Sequence, residues 1–185
     1  MKRTALTLCI VLATWTAAVA AGDDERRVFG WVEKAVVEAL DAEVKVKLDS
    51  GALTSSMHAT DIERYERDGE EWVRFTIGLE DERDGDFVER TFEKPLYRSL
   101  KVIGAGGSDR RPVVLLRLCI GDRIYEEQFS LRDRSEMNYP VLLGRRTIQH
   151  LGLLDVSRTF MHEPDCGDAT LSEIDEREPD EDIGI

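Results

Sequence analysis

The segment Glu43-Val44-Lys45-Val46-Lys47-Leu48 alternates polar and apolar residues and runs directly into Asp49-Ser50-Gly51. A period of two marks a half-buried strand, whose successive side chains point to opposite faces. The strand carries a carboxylate and a hydroxyl to a point where Gly51 lets the backbone turn sharply and approach a neighbouring loop. A chain organised around such an element is committed to β structure at its centre.

The flanking sequence agrees. Val28-Phe29-Gly30-Trp31-Val32-Glu33 reads as a first strand, and Val36 to Leu40 reads either as strand or as a turn of helix. Trp72 to Ile77 alternates again, with Phe87 to Phe92 as its hairpin partner across a charged link containing the turn dipeptide Asp84-Gly85. Val113 to Ile120 and Ile124 to Leu131 are apolar strands joined at Gly121-Asp122. Val141-Leu142-Leu143 is an apolar run ended by Gly144, Arg145 to Leu151 suits one short helix, and Asp155 to Met161 reads as a final strand. Many short strands, clear turn signals and little helix predict an all-β sandwich or barrel.

Residues 1–20 stand outside that fold. Lys2 and Arg3 precede an apolar run from Ala5 to Ala17, and Ala18-Val19-Ala20 supplies the small-x-small pattern of a signal-peptidase site. This predicts a secretory signal peptide cleaved near Ala20, hence a periplasmic or secreted protein with no lasting membrane span. The formal charge of -13 argues against nucleic acid, whose phosphates need clustered Lys and Arg. From Glu163 onward the chain carries ten acidic residues and a single Arg, the composition of a solvated, disordered tail over 162–185. Cys119 lies in an apolar strand and Cys166 in the acidic tail. A buried free thiol at Cys119 is the simpler reading, and a disulfide the alternative.

An Asp-(Ser/Thr)-Gly tripeptide arises by chance in about one chain of this length in ten, so it carries weight only in company. Two segments supply that company. Ile103-Gly104-Ala105-Gly106-Gly107 is a candidate flap able to close over a peptide, and Leu142-Leu143-Gly144-Arg145 is suited to pack beneath the Asp49 loop. Water-activating aspartate chemistry needs two carboxylates close enough to share one proton. One takes a proton from water while the other, protonated, polarises the scissile carbonyl. The chain holds one such tripeptide, so the second copy must come from a second chain, and a catalytic reading requires a homodimer.

In this order the segments resemble a retropepsin. More closely, Gly30 to Glu33, Lys45 to Ala59 and Met137 to Arg146 are similar to a bacterial retropepsin-like aspartic peptidase family long labelled ATP-dependent zinc protease. Arg111-Pro112-Val113-Val114 and the Asp155-to-Phe160 ending fit it too. The likeness spans residues 28–161. It implies a closed acid-protease β-barrel with one short helix near its C-terminal end, and cleavage of a peptide or protein substrate. It also implies Asp49 as the catalytic residue, with Ser50, Gly51 and Ala52 shaping its loop. The family's usual Thr is Ser50 here, which keeps the hydroxyl, and its usual Arg is Leu53, which removes a charge near the site. Neither half of the old label has residues behind it. No Gly-x4-Gly-Lys-(Ser/Thr) loop is present to cradle ATP phosphates, and His58, His150 and His162 form no zinc motif, so no cofactor or metal is expected. His58 is read as a partner in a local hydrogen bond.

Three functions fit these residues: a dimeric exported aspartic endopeptidase, a catalytically inactive peptide-binding or regulatory module of the cell envelope, or an interaction domain with an acidic tail. The insertion over 63–92 is a lid, a partner surface or, by default from its charge, a solvated hairpin.

Overall fold

The computed structural model describes residues 26–104, 107–167 and 170–171. The first strand is in fact two, β1 (Val28–Gly30) and β2 (Val32–Val37), interrupted at Trp31. Val36 and Val37 belong to β2, and the chain turns after them at 38–41, where Asp41 has φ 51. The expected alternating strand is β3 (Ala42–Leu48), followed by β4 (Ser55–His58), β5 (Thr60–Arg67), β6 (Glu70–Glu80) and β7 (Phe87–Pro95). Next come β8 (Arg98–Gly104), β9 (Gly107–Ile120), β10 (Arg123–Arg132), β11 (Val141–Leu143) and the single helix α1 (Arg145–Leu151) of the described residues. β12 (Leu153–Asp155) and β13 (Thr170–Leu171) complete the order. No helix of the described residues is long and apolar enough to cross a membrane.

Strands β10, β4, β11, β3, β2 and β9 are neighbours in that order, and β9 pairs back onto β10, which closes a six-stranded barrel. Closure removes the open edges at which sheets aggregate. The barrel interior is filled by Val44, Val46 and Leu48 of β3 together with Met57, Val114, Leu116, Phe129, Leu131, Val141 and Leu143, all buried. One pairing sets the position of Asp49. β11 runs parallel to β3, with Val141 opposite Val46 and Leu143 opposite Leu48. Parallel partners cannot be joined by a tight hairpin, so this contact brings two distant segments, Leu143-Gly144 and Leu48-Asp49, to the same end of the barrel.

The charged insertion is a three-stranded sheet, β5-β6-β7, rather than a lone hairpin. Val73, Phe75, Ile77 and Leu79 of β6 are buried and join the core, so this face is packed. The expectation of a solvated element holds only for the opposite face, where Arg74 pairs with Glu63 and Glu93.

Asp155 to Met161 is not a strand. β12 ends at Asp155, and the chain returns as an irregular strap across β1 and β2, with the Trp31 amide donating to Arg158 O (3.0 Å) and the Phe160 amide to Val32 O (2.8 Å). Glu33, fully buried, fastens it by accepting the Gly30 amide at 2.6 Å and the His162 amide at 3.2 Å. A buried carboxylate needs such donors. The strap brings Cys166 back to Cys119, and the two are disulfide-bonded with Cα atoms 5.9 Å apart, in place of the expected free thiol. The expected leader and residues 172–185 of the acidic tail lie outside the described residues.

Candidate active site

Asp49 follows β3 directly, and the period of two sets Lys45, Lys47 and Asp49 on one face while Val44, Val46 and Leu48 fill the interior. The Asp49 amide donates to Leu143 O at 2.8 Å, continuing the parallel pairing by one residue. The chain then turns, with the Ala52 amide on Asp49 O at 3.1 Å and the Gly51 amide on Asp49 Oδ1 at 2.9 Å. Lys47 Nζ donates to the other carboxylate oxygen, Oδ2, at 3.1 Å. Burial pushes the Asp49 carboxyl up, but the Lys47 hydrogen bond, the Gly51 amide, the Lys47 charge and the Ala52 amide outweigh it. The carboxyl is held below its ordinary value.

Leu142-Leu143-Gly144-Arg145 supports this loop. Leu143 is fully buried, and Arg145 donates from its amide to Ala52 O (2.8 Å) and from Nη1 to Ser50 O (2.9 Å). Gly144 is pressed against the loop so closely that a Cβ there would lie 2.7 Å from the Thr54 carbonyl carbon. Ser50 is exposed. Ile103, Gly104 and Gly107 lie on a hairpin in which Gly104 pairs with Gly107, while Ala105 and Gly106 fall outside the described residues.

Beneath the loop runs a buried polar chain that the sequence did not disclose. Ser55 Oγ accepts the Gly144 amide (3.0 Å) and meets Thr147 Oγ1 (2.7 Å). Thr147 in turn donates to Glu127 Oε2 (3.1 Å), whose Oε1 lies 2.6 Å from His150 Nδ1. His58 accepts the Arg134 amide at Nδ1 (2.9 Å), the local role expected of it.

Two arginines near the site were equally hidden in the sequence. Arg134 is only 8% exposed, donates from Nε to Tyr139 O, and has no carboxylate partner within salt-bridge distance among the described residues. Burial, then Arg132 and Arg111, push its pKa down, with Asp49 as the opposing charge. Arg98 of β8 donates to Gln128 and lies near Thr54. Burial, then Arg146, lower its pKa as well. Among the described residues no three His, Cys, Asp or Glu side chains converge as a metal site.

Two proteins named "Probable alpha-L-glutamate ligase", from Shewanella pealeana and Shewanella halifaxensis, are 33% and 32% identical over 118 residues. The match covers 63% of this chain and 25% of each relative. The chain thus spans about a quarter of the length of the curated relatives it matches. A Legionella pneumophila protein of unknown function superposes with a TM-score of 0.61 at 31% identity, over 74% of this chain and 98% of that one. Residues 28–165, from β1 to the end of the strap, match the model of the retropepsin-like aspartic endopeptidase RimB, and the chain belongs to this RimB-like family.

Proposed function

We propose that this chain is an exported aspartic endopeptidase that hydrolyses peptide bonds as a homodimer, with two Asp49 carboxylates facing each other across the dimer axis. The observation that carries this reading is the anchoring of Asp49. Leu143 fixes its backbone, Gly51 fixes one oxygen, and Arg145 clamps the loop at Ser50. A carboxylate held by its own loop, on a backbone clamped from residues 143–145 and left partly exposed, is a preorganised half-site. In the pair, one carboxylate takes a proton from the attacking water and the protonated partner polarises the carbonyl. The two titrate as a unit. The hairpin of β8 and β9, described up to the Gly104–Gly107 pair, is the flap of this reading.

The leader sequence and the Cys119–Cys166 bridge support an oxidising, extracytoplasmic location. The substrate class we infer is an acidic peptide. In a chain of charge -13, Arg134 and Arg98 lie near Asp49 or its loop without carboxylate partners among the described residues. Relatives named as glutamate ligases contain a stretch similar to this chain.

The test is cleavage of an α-linked hexaglutamate peptide by the purified, disulfide-bonded protein. Asp49→Ala should abolish cleavage with an unchanged thermal melt. Turnover by Asp49→Ala, or by a strictly monomeric wild-type protein, would sink the reading. Binding of the peptide without turnover would favour the inactive module.

A further inference from the structure

The two-carboxylate scheme gives Lys47 nothing to do, yet Lys47 touches the reacting group. Strand periodicity places it on the same face as Asp49, and its Nζ takes Oδ2 at 3.1 Å while the Gly51 amide holds Oδ1 at 2.9 Å. One oxygen is thus fixed by backbone and the other by an ammonium on a flexible stem that a substrate can draw away. Among the described residues the other basic side chains around Asp49 make no contact with its carboxylate. Arg145, from α1, is spent on Ser50 O, and Arg134, from the loop after β10, donates to Tyr139 O. Lys47 has three donors, of which one is used here.

We propose that Lys47 is a further catalytic residue, whose ammonium donates to the oxygen of the scissile carbonyl beside the Asp49 that activates water. The proposal rests on the peptidase reading above. The water oxygen bonds to the carbonyl carbon as Asp49 takes the water proton. The carbon–nitrogen bond then breaks, and the same proton passes to the leaving nitrogen. Lys47 transfers nothing and stabilises the negative charge on the carbonyl oxygen. In the dimer Lys47 adds to the polarisation that the protonated partner carboxyl supplies, so turnover extends above the acid range in which that carboxyl is protonated.

The experiment compares Lys47→Met, Lys47→Arg and Asp49→Ala in the purified, disulfide-bonded protein with α-linked hexaglutamate. Lys47→Met should lower kcat by about 10²–10³-fold, the loss typical of one oxyanion donor. KM should stay nearly unchanged, and residual activity should be confined to acid pH. Lys47→Arg, which keeps charge and donors, should recover most of the loss. A rise in KM alone, or wild-type kcat and pH profile in Lys47→Met while Asp49→Ala is dead, overturns the proposal and leaves the peptidase reading standing. Cleavage by Asp49→Ala overturns both. Carbon-13 titration of the Asp49 carboxyl reads the contact without turnover: its midpoint should rise in Lys47→Met and hold in Lys47→Arg, and an unmoved midpoint overturns the proposal.

Discussion

Gly144→Ala is the sharpest probe of how the site is held. Gly144 has φ -86 and ψ 175, a conformation open to any residue, so a methyl group there meets no backbone strain. It meets contacts instead: the new Cβ would lie 2.7 Å from the Thr54 carbonyl carbon and 2.8 Å from both the carbonyl carbon and oxygen of Leu53. Carbon atoms pack at roughly 3.5–4.0 Å, so the two segments must part by close to an ångström, and both contacts are backbone that no rotamer change relieves. Two bonds across that seam, Arg145 N–H to Ala52 O at 2.8 Å and Arg146 N–H to Leu53 O at 3.3 Å, would stretch. Overpacking costs about 1–3 kcal/mol, and two weakened hydrogen bonds add about 0.5–1.5 kcal/mol each. The expected loss is about 2–6 kcal/mol in equilibrium urea unfolding, with the amide resonances of residues 49–55 displaced. Gly69→Ala is the control. Its φ of 82 disfavours a side chain but nothing lies within 4 Å, so it should cost about 1 kcal/mol and leave the site resonances alone. A Gly144→Ala protein within about 0.5 kcal/mol of wild type would refute the close-contact reasoning.

Other perturbations test separate parts of the molecule. Thr147→Val removes the link between Ser55 and Glu127 and should cost about 1–3 kcal/mol, non-additively with Ser55→Ala, in a double-mutant unfolding cycle. The Arg83 hydrogen bond, against the opposing effect of burial, holds Asp81 down to about 2. Its contribution is therefore present above the ordinary carboxylate range and is lost as pH falls toward about 2, and Asp81→Asn should flatten that part of an acid unfolding curve. The Cys119–Cys166 bridge spans a sequence separation of 47. Reduction should cost about 4 kcal/mol by the loop-entropy relation, and an unchanged unfolding midpoint in reductant would count against the bond.

Local periodicity made the sheet elements legible. β3 and the pairs β6–β7 and β9–β10 follow from alternation and turn residues, and α1 from the glycine before it and its apolar spacing. What was not legible depends on distant segments meeting. Nothing in Leu142-Leu143 says that it will lie parallel to β3, yet that pairing sets Gly144 under the Asp49 loop. Glu33 reads as a solvent-facing strand residue and is instead buried, because the strap that covers it arrives from residues 158–162. The same return explains why the acidic composition after Glu163 concealed a disulfide. Thr147 and Glu127 look like ordinary surface polar positions until the helix is laid on the barrel. Lys47 was within reach: the alternation that exposes Asp49 exposes it on the same face.

A half-site completed by the Asp49 of another copy needs a sticky surface through which the two copies associate. β1 and β12 form a two-stranded parallel sheet apart from the barrel, with Val28 directly opposite Leu153. Val28 is 37% exposed and Leu153 48%, an exposed apolar pair, and the strap beyond β12 exposes Val156 and Phe160 as well. In a twofold dimer each residue is buried twice. Leu153 is half exposed, so covering it contributes about 0.7–1.5 kcal/mol, and Leu153→Glu should weaken association by at least about 1.5–3 kcal/mol over both copies, or roughly 10–10²-fold in dimer Kd. The substitution is on an exposed side chain and should leave the thermal melt of the monomer unchanged. Sedimentation velocity across a concentration series measures the shift, and kcat per chain should fall in step with the fraction dimeric. If Leu153→Glu dimerises like the wild type, this sheet is not the interface. If it is monomeric and still cleaves, the pairing of two Asp49 residues is not the source of catalysis, and the homodimeric reading falls.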